Sequence, residues 1–149
     1  MRHVNRFALL PVITAAGLLA ACGDATAPTV DEVLAHRASW SAQHLSDYTY
    51  IYESTGFLIN TAGKEIRITV RDGVVVSAVF AASGEPVPGS PTQFPTIDRL
   101  FDQAFQAAQS HALESITFDQ ALGYPRRIDL AGPPDASGTL LATQLEPGA

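Results

Sequence analysis

Thiols are almost absent: the 149-residue chain holds one cysteine, Cys22. A single thiol excludes an intrachain disulfide, a Cys-x-x-Cys redox pair and a cysteine-rich metal site. Positive charge is scarce as well, with nine Lys and Arg against fifteen Asp and Glu. Nucleic acid and anionic lipid surfaces are held by basic patches, so neither is an expected partner. Long apolar runs are missing too. Phe7 to Ala21 is the longest, falls short of the roughly 20 residues that cross a bilayer, and contains Pro11. Catalytic signatures are equally thin: there is no HExxH, no GxSxG elbow, no GxGxxG and no GxxxxGKS/T. His36 and His44 lie eight apart, and His111 stands far from both in sequence, so they read as surface or helix-end residues and no metal site is expected.

What is present begins at the N-terminus. Arg2 and Arg6 precede the uncharged apolar stretch, which ends in small residues, and this is the anatomy of a signal peptide over residues 1–21. Leu19-Ala20-Ala21-Cys22 resembles the lipobox of bacterial lipoproteins, in which the cysteine thiol is alkylated by a diacylglycerol and the chain is cut just before it. The resemblance implies that Cys22 is the lipidated residue and that a membrane is a partner through its acyl chains. Two or more chains exceed the marginal hold of one, so attachment would be stable. Cleavage would remove two basic residues and no acidic one, taking the net charge from −6 to −8. Residues 22–28 then read as the lipidated cysteine and a flexible tether, GDATAP being small, polar and proline-terminated. Residues 29–149 read as one domain.

Within that domain Thr29 and Glu32 form a capping box for a helix from about Val30 to His44, with Val33, Leu34, Ala38, Ser41 and Leu45 on one stripe. Tyr48 to Ser54 alternates and is rich in aromatic and β-branched residues, so it reads as a strand. A hairpin follows in KEIRITVRDGVVVSAVF. A two-residue Asp72-Gly73 loop would pair Val70 with Val75. A three-residue loop from Arg71 to Gly73 pairs Val70 with Val74 and gives the all-apolar face Ile66, Ile68, Val70, Val74, Val76, Ala78 and Phe80, which selects it. Gly84 to Pro95 is too rich in proline and glycine to sit inside a sheet. Thr96 caps a second helix carrying Ile97, Leu100, Phe101, Ala104, Phe105 and Ala108 at helical spacing, with Asp98 and Asp102 outward. Glu114 to Asp119 and Arg126 to Leu130 read as strands about the turn QALGYP, and Thr139 to Leu145 as a short edge strand. The fold expected is α+β, a single antiparallel sheet of about five strands packed on one amphipathic helix, with an additional N-terminal helix. Whether that first helix covers the sheet's second face is left open.

Trp40, Asp47-Tyr48-Thr49-Tyr50, Val70-Arg71-Asp72-Gly73-Val74, Thr96-Ile97-Asp98-Arg99-Leu100-Phe101-Asp102 and Leu122-Gly123-Tyr124-Pro125 resemble a family of bacterial lipoproteins and secreted proteins defined as a domain of unknown function. The resemblance implies a fold and an envelope address, and no activity. Many members place a Cys-x-Cys pair after the first strand, where this chain reads Ser54-Thr55-Gly56-Phe57, so any role of that pair is absent here.

Each group with chemistry has a plainer reading beside it. Asp98 with Asp102 could form a carboxylate pair, but acids in a helix's first turns also complement its dipole. Tyr48, Tyr50 and Tyr52 share one strand face and could stack a ligand, or be core. Tyr124 sits in a stretch, Asp119 to Arg127, that could be a recognition loop or a packed turn. Asp119 and Asp129 would be the carboxylates of a hydrolase, the least favoured alternative. Opposite the second helix, the chosen register exposes Glu65, Arg67 and Thr69 beside Val75, Ser77 and Val79, with Ser115, Thr117, Arg127 and Asp129 continuing the face. Arg67 and Arg127 are its candidate contacts for an envelope protein partner. The expectation is therefore a lipid-anchored envelope protein that binds or builds without catalytic residues or cofactor, with a small-ligand protein using the tyrosine face as the alternative.

Overall fold

Local capping starts both helices. In the computed structural model, which describes residues 28–56, 61–132 and 137–148, the Thr29 hydroxyl accepts the Glu32 N–H at 3.2 Å at the head of α1, Val30–Ser41. Thr96 accepts the Arg99 N–H at 3.3 Å at the head of α2, Ile97–Gln109. The leader, Cys22 and the tether up to residue 27 lie outside the described residues. Among the described residues no helix is long and apolar enough to cross a membrane.

Six strands form one antiparallel sheet: β1 Tyr48–Thr55, β2 Ile66–Arg71, β3 Val74–Phe80, β4 Leu113–Phe118, β5 Pro125–Leu130 and β6 Gly138–Pro147. Their order is β3-β2-β1-β6-β5-β4. The architecture is α+β with two helices, as expected, but the last strand is neither short nor at an edge. β6 pairs with β1 from Tyr48↔Pro147 to Thr55↔Thr139 and with β5 from Arg127↔Leu141 to Leu130↔Gly138. It joins the two halves of the sheet and buries Leu140 and Ala142, which is why its pairing, more than its own composition, determines its place.

The hairpin follows neither candidate register throughout. Asp72 and Gly73 both take positive φ, 49° and 72°, and make a two-residue turn with Arg71↔Val74 and Val70↔Val75. A bulge then shifts the pairing to Thr69↔Ser77 and Ile68↔Ala78. The inward face is Ile66, Ile68, Val70, Val75 and Ala78, and Val74 and Val76, assigned inward by the sequence, are 53% and 51% exposed. The bulge absorbs one residue and so reverses which valine faces the core. Pro86 bridges to Val79 at the rim of β3, a position where its missing N–H costs nothing.

α1 is three residues shorter than expected and turns a different stripe inward. Val33 and Trp40 are buried, while Leu34 is 42% exposed. The helix docks along a narrow seam beside α2. His36 stacks on Phe118 with ring centroids 3.7 Å apart, so it is half-buried, one ring face packed, where the sequence suggests a surface or helix-end residue. Trp40 meets Tyr48 edge-on at 5.6 Å. Both helices therefore cover the same side of the sheet, and α1 does not cross the second face. The core between them holds Ile68, Ile97, Leu100, Phe101 and Ile128, all essentially inaccessible.

Candidate functional site

Of the two readings of the tyrosine stripe the structure follows the core, although Tyr52 also reaches the floor of a groove beside α2. Tyr48, Tyr50 and Tyr52 are buried beneath α2. The Tyr50 hydroxyl donates to the Pro95 carbonyl, and the Tyr48 oxygen accepts the Ile97 N–H at 3.0 Å. Burial pushes the Tyr48 phenol up to about 12 and those of Tyr50 and Tyr52 upward as well, so all three stay neutral. Tyr124 is buried against Trp40, ring centroids 6.3 Å apart, and its phenol is also raised by burial. The stretch around it is a packed turn. Asp119 Oδ1 accepts the N–H groups of Ala121 and Leu122 at 3.0 and 2.9 Å, and Gly123 takes φ 78°.

Neither acidic pair forms a carboxylate site: Asp98 and Asp102 share the flank of α2 that faces α1, and Asp119 and Asp129 stand apart. Asp102 is bonded to Arg37 of α1 at 2.8 Å, while Asp98 lies by a shallow hollow shared with Trp40 and His44. Asp119 stands in the β4–β5 turn and Asp129 pairs with Ser115, four residues along β4, so roughly 13 Å separates them along the strand. Nor do Arg67 and Arg127 converge: β1 and β6 lie between their strands, about 14 Å across the sheet.

On the open face Asp129 is the centre of a polar network. Its carboxylate accepts from Arg127 Nε at 2.8 and 3.0 Å, from Ser115 Oγ at 2.5 Å and from Thr139 Oγ1 at 2.7 Å. The Arg127 bond is the main cause that lowers the carboxyl from 3.8 to about 2. Because the folded value is depressed, the stability it contributes is present above pH ~4 and is lost as pH falls toward 2. Asp129→Asn is expected to cost about 1–3 kcal/mol at pH 6. That deficit should shrink toward pH 2 in urea titrations of the two proteins at both pH values.

The concave feature lies elsewhere. A groove of about 480 Å³ runs between α2 and the ends of β1, β5 and β6. Its floor includes Tyr52, Pro95, Ala107, Ala112, Leu130 and Leu140, and its rim Gln93, Arg99, Gln103, Gln106 and Ser110. The volume lies within the range of small-molecule sites, and an apolar floor with a few polar rim groups is their usual chemistry. Sequence reasoning misses it because the wall comes from Tyr52, from residues spread between Gln93 and Ala112, and from Leu130, Ala131 and Leu140, with Ala107, Ala112 and Ala131 leaving the space. A faint signal exists: Arg99, Gln103, Gln106 and Ser110 form a polar stripe flanking the apolar face of α2.

Among the described residues no three His, Cys, Asp or Glu side chains gather as a metal would require. No curated protein and no solved structure matches the chain. A family of unknown function, DUF6174, does match, over residues 32–138, from the first turn of α1 to the first residue of β6. That span takes in α1 apart from its first two residues, all of α2, five complete strands and nearly all of the groove's lining, and the chain belongs to this family.

Proposed function

We propose that the protein is exported, held on a membrane of the cell envelope by acyl chains on Cys22, and acts there by binding a small ligand in the groove beside α2. The observation that supports binding is the groove itself. Its floor is apolar, its rim is hydrogen-bonding, and the volume suits a small organic molecule. The tether from Cys22 to Thr29 spans at most about 25 Å, so the domain would sample ligands close to the bilayer. The open sheet face, with Val74 and Val76 exposed beside Arg67 and Arg71, supports a second reading as a protein-contact surface.

Gln103 is exposed on the rim, so Gln103→Trp fills the groove mouth without entering the core. The full chain isolated from its own envelope should release, on organic extraction and mass spectrometry, a small molecule in near-stoichiometric amount. Gln103→Trp should release at least tenfold less while matching the melting midpoint of wild-type protein stripped of its ligand. Equal yields from both proteins, or bulk membrane lipid alone, would contradict the groove reading.

A further inference from the structure

Among the described residues, the charge that lines the groove is opposite in sign to that of the chain. Acids outnumber bases fifteen to nine overall, yet among the described residues lining the groove Arg99 is the one charged side chain and no carboxylate is present. The helix geometry produces this separation. Asp98 and Asp102 project from α2 toward α1, where Asp102 is neutralised by Arg37. Arg99, Gln103, Gln106 and Ser110 follow at intervals of three and four and so line the opposite flank. From Arg99 to Ser110 this stripe is about 16 Å long.

The trough is also polar at one end. Arg99 stands in the first turn of α2, where the helix dipole favours negative charge. Its guanidinium makes one long bond, 3.4 Å to the Thr92 carbonyl, which leaves most of its fork of donors uncommitted among the described residues. Beyond it the floor is the Tyr52 ring, alanine methyls, Leu130 and Leu140. A guanidinium pairs bidentately with a carboxylate or a phosphate, but a phosphate monoester carries nearly two negative charges, more than a single arginine balances, whereas one carboxylate is matched.

We propose that the groove binds an elongated amphiphile with a single carboxylate, seated with its carboxylate on Arg99 and its aliphatic or aryl body along the floor toward Ser110. This rests on the reading of the groove as a binding site and names its ligand class. Salt should weaken the head-group contact and leave the apolar contact in place.

The test uses the full chain in phosphatidylcholine nanodiscs and three photoreactive probes of identical body: decanoate carrying a terminal diazirine, its primary amide, and the trimethylammonium analogue. Peptides bearing label are mapped by mass spectrometry. The carboxylate is expected to label residues 93–112 at least tenfold more than the cation. Arg99→Gln should reduce carboxylate labelling at least tenfold without changing amide labelling, and Arg99→Lys should restore part of it. Arg99 is exposed, so the melting midpoint should not move. Equal groove labelling by carboxylate, amide and cation would overturn the carboxylate assignment while leaving a binding groove in place. Absence of groove labelling by all three would overturn the binding reading as well.

Discussion

Phe101→Ala is expected to destabilise the domain by about 3–5 kcal/mol, as removal of a fully enclosed aromatic ring does. Phe101 is 0% exposed and lies on the face of α2 that meets the sheet. Its ring stacks on Phe118 of β4 with centroids 6.2 Å apart, and Phe118 stacks in turn on His36 of α1. Truncation therefore empties the seat of α2 and loosens the contact through which β4 holds α1, so collapse around the cavity is hindered from both sides. The melting midpoint should fall by on the order of 10–20 °C. Urea unfolding is conveniently followed through Trp40, the chain's single tryptophan, which is packed between Tyr48 and Tyr124. Phe105→Ala is the control: that residue is only partly buried and should cost distinctly less. A loss below about 1 kcal/mol at Phe101 would mean that α2 is not seated on the sheet as described.

The parts of this fold that could be read from sequence are those whose signal is local. Thr29 with Glu32, and Thr96 before the Ile97, Leu100, Phe101, Ala104 stripe, carry their own caps and periodicity, and both helices start where those signals stand. Tyr48 to Tyr52 alternates visibly, and the strand is there. The failures are non-local. β6 becomes an interior strand because β1, some ninety residues earlier, offers it an edge, and nothing within GTLLATQLEP announces that partner. The hairpin bulge inverts Val75 and Val76 against the simplest alternation. Leu34 is as apolar as Val33 but lies one step round α1, outside a seam too narrow to cover both.

The candidate site divides the same way. The tyrosine stripe is recognisable as a stripe, but only the position of α2 above it shows it to be core, with two hydroxyls already bonded to the α2 approach. Arg127 and Asp129, adjacent on one strand face, form a real ion pair, whereas Arg67 and Arg127 look comparable in sequence and are held apart by two strands. The groove is a set of omissions, alanines where larger side chains would close the space, contributed from segments far apart in the chain. A linear reading registers residues that are present more readily than volume that is left empty.

The largest effect of all is expected at Cys22, where one sulfur atom carries the proposed attachment. The thioether would add a diacylglycerol, and two or more acyl chains give a hold far stronger than the reversible binding of one. Once a leader ending at Ala21 were removed, the net charge of the remaining chain would be −8, which offers no electrostatic substitute for those chains at an anionic surface. Cys22→Ser keeps the size of the side chain and removes the nucleophilic thiolate, so alkylation and the cleavage that follows it should both be abolished. Labelled palmitate incorporation should fall to background in that variant. The most direct measurement is the intact mass of the wild-type chain extracted from membranes. The account predicts a protein that begins at Cys22 and carries a diacylglyceryl adduct on that residue. A chain that begins at Met1, or one that begins at or near Cys22 with an unmodified thiol, would contradict it.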